Sequence, residues 1–117
     1  MAVFVSTAEP DELARKVVQA IKRGAVFSWE LTSGHLRHAD TRRADGRERD
    51  AFFKIVVTEG AVKFALVAPK NTEPFDRATY AYHHGRLTEL LLGHFSDALT
   101  RVQSTPFAGL ANGAVDD

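Results

Sequence analysis

The sequence predicts an α+β fold in two layers. A three-stranded antiparallel meander is covered on one face by an N-terminal helix and a long C-terminal helix, in the order α-β-β-β-α, with an extra N-terminal strand as an addition. Three observations lead there. Residues 51–58 and 61–68 alternate apolar side chains about Glu59-Gly60. A two-residue turn at that point sets Val57 opposite Val62, Ile55 opposite Phe64 and Phe53 opposite Leu66, so three apolar pairs fall on one face. Ala25, Phe27, Trp29 and Leu31 alternate with Val26, Ser28, Glu30 and Thr32, which is a strand with one buried side. Apolar residues recur at helical spacing on both flanks of these strands. One apolar face per strand calls for helices on one side of the sheet only.

The elements follow in order. Val3-Phe4-Val5 is either a short strand or a set of apolar residues that staple the first helix. Ser6 and Thr7 offer hydroxyl caps, Glu9 stands three residues after Ser6, and Pro10 suits a first helical turn. Leu13, Val17, Ala20 and Ile21 then mark a helix over about 9–23, with Lys22 and Arg23 at its negative end and Gly24 as its stop. Between the first strand and the hairpin lies 33–50. Asp45-Gly46 is a hairpin signal, and a two-residue turn there sets Leu36 opposite Ile55 and His38 opposite Phe53. That parity conflicts with Trp29 and Leu31 on the core face unless a bulge shifts it; otherwise 33–50 is a long excursion. Asn71-Thr72-Glu73-Pro74 signals a second helix start, with Asp76 or Thr79 as later caps. The helix is expected to reach Val102 along a stripe of Tyr80, His84, Leu87, Leu91, Phe95, Ala98 and Val102.

At 117 residues the chain suits one domain, placed at 1–103, with 104–117 as a disordered tail. Apolar residues form 44% and charged residues 26%, which separates it from disordered compositions. Fifteen basic residues balance fifteen acidic ones, so no whole-molecule field attracts nucleic acid or an anionic membrane. The absence of cysteine excludes disulfides, thiolate nucleophiles and cysteine zinc sites. The N-terminal residues do not form a signal peptide and no apolar run approaches the ~20 residues of a membrane span, so a cytoplasmic protein is expected.

Motifs for chemistry are sparse. The five histidines are His35, His38, His83, His84 and His94. On one helix His83 and His94 lie roughly 16 Å apart at ~1.5 Å per residue, too far to share an ion, and no His-Glu-x-x-His pattern exists. Neither a metal site nor a cofactor site is expected. No Gly-x-Ser-x-Gly elbow or phosphate-binding glycine loop is present. Ser33, His35 and Asp40 are near in sequence, which is not triad geometry. Tyr80, Tyr82, His83, His84 and Arg86 crowd the start of the second helix; Tyr80, His83, His84 and Arg86 are the candidates to line a pocket for acid–base work or anion binding, against a plainer role as rings packed at the core edge. Residues 35–50 carry Arg37, Arg42, Arg43, Arg47 and Arg49, offset by Asp40, Asp45, Glu48 and Asp50. Arg37, Arg42 and Arg43 are the candidates for anion or RNA contact, weakened by that self-neutralisation.

The element order helix–strand–strand–strand–helix over about 9–102 resembles that of double-stranded RNA-binding domains, in topology alone. That family grips phosphates with a lysine-rich motif at its second helix start. The matching stretch here, Glu73-Pro74-Phe75-Asp76-Arg77-Ala78-Thr79, is not lysine-rich. His35, after Ser33-Gly34, falls in the loop where that family also uses a histidine.

The second helix has more apolar surface than one sheet face needs. Leu90, Leu92 and Leu99 lie off its main stripe, and Ala81, Gly85, Thr88 and Ser96 add small residues beside Leu92. Gly85 and Gly93 each cost about 1 kcal/mol against alanine in a helix interior. The function expected is therefore a small, non-enzymatic protein–protein interaction module of accessory, inhibitor or immunity type. It uses Ala81, Gly85, Thr88, Leu92 and Ser96 to bind a protein partner or a second copy. The alternatives are an RNA-binding module using the arginine loop and an enzyme or ligand-binding protein with a pocket near Tyr80, His83 and His84.

Overall fold

The computed structural model describes residues 2–39, 50–68 and 75–106. Its described elements are β1 (Ala2–Ser6), α1 (Pro10–Lys22), β2 (Trp29–Thr32), β3 (His35–His38), β4 (Phe52–Thr58), β5 (Ala61–Val67), α2 (Arg77–Phe95), a single 3-10 turn (Ser96–Ala98) and β6 (Arg101–Ser104). The strands form one antiparallel sheet in the order β2-β3-β4-β5-β1-β6. The fold is α+β, but the sheet has six strands where three were expected, and the order is β-α-β-β-β-β-α-β. The likeness to double-stranded RNA-binding domains in element order therefore does not extend to the folded chain.

The β4–β5 hairpin has the register that its turn chemistry predicts. Phe53 faces Leu66, Ile55 faces Phe64 and Val57 faces Val62. Gly60 adopts φ +76°, the left-handed region that favours glycine. From this hairpin the sheet grows in both directions. On one side β1 is a strand, and it lies between β5 and β6 rather than at the edge. Val3 and Val5 stand beside Phe64 and Val62 on the core face.

On the other side, the parity conflict of 33–50 resolves through a second hairpin. Ser33 (φ +51°) and Gly34 (φ +81°) form a two-residue turn, and reversal there pairs Trp29 with His38 and Leu31 with Leu36. The expected strand over 25–32 begins only at Trp29, and β3 is an additional strand. Leu36 faces Phe53, two residues from the expected partner Ile55 and on the same face. The Asp45-Gly46 turn lies outside the described residues.

Helix α1 begins and ends within one residue of the expected bounds. Its N-cap is Glu9, without a side-chain cap. Thr7 works differently from the predicted cap: its hydroxyl donates to the Ala98 carbonyl at 2.6 Å and accepts from the Glu9 amide at 3.3 Å, tying the start of α1 to the end of α2. Helix α2 is capped by Asp76, whose carboxylate accepts from the Thr79 amide at 2.8 Å. It stops at Phe95, short of the expected Val102. The Ser96 hydroxyl donates back to the Leu92 carbonyl, a 3-10 turn follows, and Leu99 is extended (φ −136°, ψ 157°). The chain then supplies β6, which pairs Val102 with Val5. Helical spacing and strand pairing both place Val102 toward the core; pairing wins because β1 would otherwise leave its outer backbone groups without partners. Strand β6 runs through Ser104, and the Thr105 amide donates to the Ala2 carbonyl at 3.1 Å. Residues 107–117 of the tail lie outside the described residues.

Both helices pack on the same sheet face. Helix α1 covers β2, β4 and β5, and α2 lies toward β1 and β6. The core between the layers is built from Leu13, Val17, Leu36, Phe53, Phe64, Leu66, Phe75, Leu87 and Leu91. Gly85 and Gly93 sit in α2 with negative φ, and among the described residues, their own helix backbone and chain neighbours aside, no atom lies within 4 Å of where a Cβ would stand. Gly85→Ala and Gly93→Ala are therefore each expected to raise unfolding stability by about 1 kcal/mol, read by urea denaturation of the singly substituted proteins.

Candidate functional site

Two faces of α2 carry the residues of interest. The inner face holds the tyrosine and histidine group. Thr79, Tyr80, His83 and His84 are buried between α2 and the sheet, with His83 1% and His84 4% exposed. Their rings join a continuous run of aromatic contacts. Tyr80 lies against His84 at 4.0 Å between centroids, His84 against Phe53 at 5.6 Å, Phe53 against Trp29 at 6.3 Å, Trp29 against His38 at 5.2 Å, and His38 against Tyr82 at 5.9 Å. Tyr82 then meets His83 at 5.3 Å. The run leaves α2, crosses under it through β4, β2 and β3, and returns to the same helix.

His84 is the most perturbed member. Its Nδ1 is 2.6 Å from the Ser104 hydroxyl on β6. Its Nε2 is buried with no hydrogen-bond partner among the described residues. Burial, reinforced by the neighbouring imidazole of His83, pushes its pKa down from 6.5 to about 4. It is neutral at physiological pH, and among the described residues no carboxylate hydrogen-bonds it. This is the geometry of a packed ring that locks α2 to the edge strand.

The expected pocket group is thus divided. Tyr80, His83 and His84 face inward. Arg86 lies on the flank of α2, its guanidinium 5.3 Å above the Tyr82 ring and 3.3 Å from the Glu89 carboxylate. On that flank a depression of about 380 Å³ is lined by Phe27, Ser28, Trp29, His38, Arg86, Glu89 and His94. Sequence reasoning missed its far wall. Phe27, read there as a core-facing strand residue, is 89% exposed. The signal that would have found it is Ser33-Gly34: a hairpin turn at that dipeptide shortens β2 and releases Phe27 from the strand.

The arginine candidates part in the same way. Arg37 sits on the helix-free sheet face, opposite Glu30 in the β2–β3 ladder. It donates to Asp50 at 2.7 Å and to Glu30 at 2.6 Å. The Asp50 hydrogen bond, with that of Glu30, raises its pKa above the ordinary arginine value. Its guanidinium is occupied by two carboxylates. Arg42 and Arg43 lie outside the described residues. Among the described residues no three histidine, aspartate or glutamate side chains come close enough to hold one metal ion, and no helix is long and apolar enough to cross a membrane.

The outer face of α2 carries Ala81, Gly85, Thr88, Leu92 and Ser96. Thr88 is half-buried and donates to the His84 carbonyl at 2.9 Å; the other four are exposed, Leu92 at 52%. His84 points toward β6. At ~100° per residue Thr88 and Leu92 lie further round the helix in the same sense, so the stripe extends past the sheet edge formed by β6.

Comparison of the chain with protein-family models, with curated proteins and with solved structures finds no match.

The inner face generates a pH dependence. His84 binds a proton below about pH 6.5 when unfolded and only below about 4 when folded, so stability is complete above pH 6.5 and falls as pH drops from 6.5 to 4. The expected loss is on the order of 3 kcal/mol. Urea denaturation at pH 7 and pH 4.5 should show a smaller difference for His84→Gln than for the parent chain.

Proposed function

We propose that this chain is a non-enzymatic protein–protein interaction module that associates with a second copy of itself through the outer face of α2. The observation that carries the reading is Leu92, half in water among the small residues Ala81, Gly85, Thr88 and Ser96, with the exposed Glu89 beside them. Gly85 supports it. A helix-interior glycine costs stability, and the common intramolecular reasons for one are a positive φ or a neighbour pressed against the backbone. Gly85 has neither. A second copy supplies a use for it, since a bare backbone admits another side chain.

The choice of a second copy follows from shape and charge. Gly85 and Leu92 are two turns apart on one face, a gap and a knob. An antiparallel pair of α2 helices crossing near Thr88 sets Leu92 of one copy over Gly85 of the other, and the two-fold axis repeats the contact. The net charge of zero sets up no whole-molecule repulsion between copies, and Arg86 pairs with Glu89 beside the crossing point. The RNA-binding alternative has less support, since Arg37 is already engaged by Glu30 and Asp50. The enzyme alternative has less support because Tyr80, His83 and His84 face the core.

Leu92→Glu is expected to convert the assembly to a monomer by light scattering after size exclusion, with unchanged circular dichroism. Gly85→Leu, which closes the gap without adding charge, should do the same. A parent chain that is monomeric at high micromolar concentration, or an assembly that survives both substitutions, overturns the reading.

A further inference from the structure

We propose that the second copy also joins this chain edge to edge, strand β6 against β6 in antiparallel register about Gln103, so that the two sheets become one. This pairing rests on the self-association proposed above and adds a second contact on the same axis. The backbone groups of β1 set the pattern. The Thr7 amide donates to the Gly60 carbonyl, so the odd residues of β1 bond toward β5 and the even ones toward β6. The Thr105 amide donates to the Ala2 carbonyl, in agreement. Phe4 with Gln103 and Ser6 with Arg101 are then the bonded pairs of the β1–β6 ladder, and the N–H and C=O of Val102 and Ser104 point away from it. Strand β6 is the last of the sheet, and no described strand meets its outer side. Such an edge is a template for another strand. Nothing in Arg101-Val102-Gln103-Ser104 guards it: there is no proline, no lysine and no inward-pointing charge.

The register follows from the same groups. In an antiparallel pair about Gln103, Val102 of each copy stands opposite Ser104 of the other, and every outward N–H finds a carbonyl. Pairing about Val102 instead sets Ser104 against Thr100, whose amide already donates to Ser6. Pairing about Ser104 sets Val102 against Pro106, which has no N–H. The Gln103 register also places no like charges face to face. Gln103 meets Gln103, whose amides are self-complementary, and Arg101 meets Thr105. The far edge of the sheet lacks this property. There the Ala39 amide donates to the Ser28 carbonyl, so Trp29 and Leu31 carry the outward groups, and the corresponding pair sets Glu30 against Glu30. Helix α2 agrees on the axis. It runs from Ser104, bonded by His84, to the Thr7 end of β1, where Ala98 accepts from Thr7, and is therefore antiparallel to β6. Four residues of helix rise ~6 Å and two of strand ~6.7 Å, which brings Thr88 level with Val102, next to Gln103. One two-fold axis thus serves both the α2 crossing at Thr88 and the β6 pair at Gln103.

The chain has no cysteine, so a single thiol can be placed at a chosen position. Gln103 faces itself across the axis as a non-hydrogen-bonded pair with Cα atoms about 4.5 Å apart, inside disulfide range. Arg101 and its copy stand about 14 Å apart, outside it. Both side chains are exposed, so neither substitution disturbs the core. Oxidation of Gln103→Cys at high micromolar concentration, read on a non-reducing gel, is expected to give a covalent dimer about tenfold or more faster than Arg101→Cys. In the parent chain, amide exchange at Val102 and Ser104 should slow by about tenfold or more between dilute and concentrated protein. Packing of α2 alone leaves those edge amides open to water. Equal crosslinking rates, or unchanged exchange, in a chain that associates overturn the strand pairing and leave the α2 contact standing. Crosslinking at position 103 that survives Leu92→Glu upholds the strand pairing and removes the α2 contact. A monomeric parent chain overturns both.

Discussion

The position of Phe53 is the constraint on which the rest of the structure depends. The β4–β5 register sets it beside Leu66, and the β3–β4 register sets it beside Leu36. Above the sheet it touches Trp29 and His84, so the same ring contacts both the β2 end and the helix that closes the core. A one-residue slip of β4 against β5 would turn Phe53 and Ile55 to the helix-free face, away from Leu66 and Phe64. Burial of a phenylalanine contributes about 2–3 kcal/mol, but here the larger effect is geometric: one side chain fixes three strand alignments and the seat of α2.

The sheet is closed by its two most distant strands. β1 and β6 pair near opposite ends of the described chain, and Thr7 and Thr105 add hydrogen bonds across the same junction. Contacts of such sequence separation form late and slowly, because loop closure must precede them. The buried His84 is attached to this junction through Ser104. Its neutral imidazole fits a nearly water-free space between Tyr80 and Phe53; its charged form does not. Acid therefore acts on the join between α2 and β6 rather than on the hairpin.

Helix α2 divides its surface among three tasks. The inner side fills the core. One flank, with Arg86 and His94, lines a depression, and the other, with Leu92 and Gly85, extends past the sheet edge. Of the leucines that made the helix look over-apolar, Leu90 is buried in the core and Leu99 packs against it, and Leu92 is the one left exposed. The division of the helix surface explains why the tyrosine–histidine cluster does not act as a unit. Adjacent residues on a helix point ~100° apart, so His83, His84 and Arg86 cannot share one side.

The sequence by itself determined the hairpin register, the bounds of α1 and the one-sided helix layer, because each follows from local periodicity and turn chemistry; for α2 it offered Asp76 among three possible starts, and the structure chose it. It also marked Leu92 and Gly85 as surplus to a single sheet face. Only the tertiary structure decided the number and order of strands. Val3-Phe4-Val5 became a central strand because β5 offered a free edge, and Val102 left the helix because β1 offered another. The same holds for Phe27. Alternation placed it in a strand, while the Ser33-Gly34 reversal and the burial of Val26 and Trp29 turned it to solvent. Backbone hydrogen bonds between residues far apart in the chain are satisfied by whichever strand arrives beside them, and side-chain periodicity does not record which strand that is.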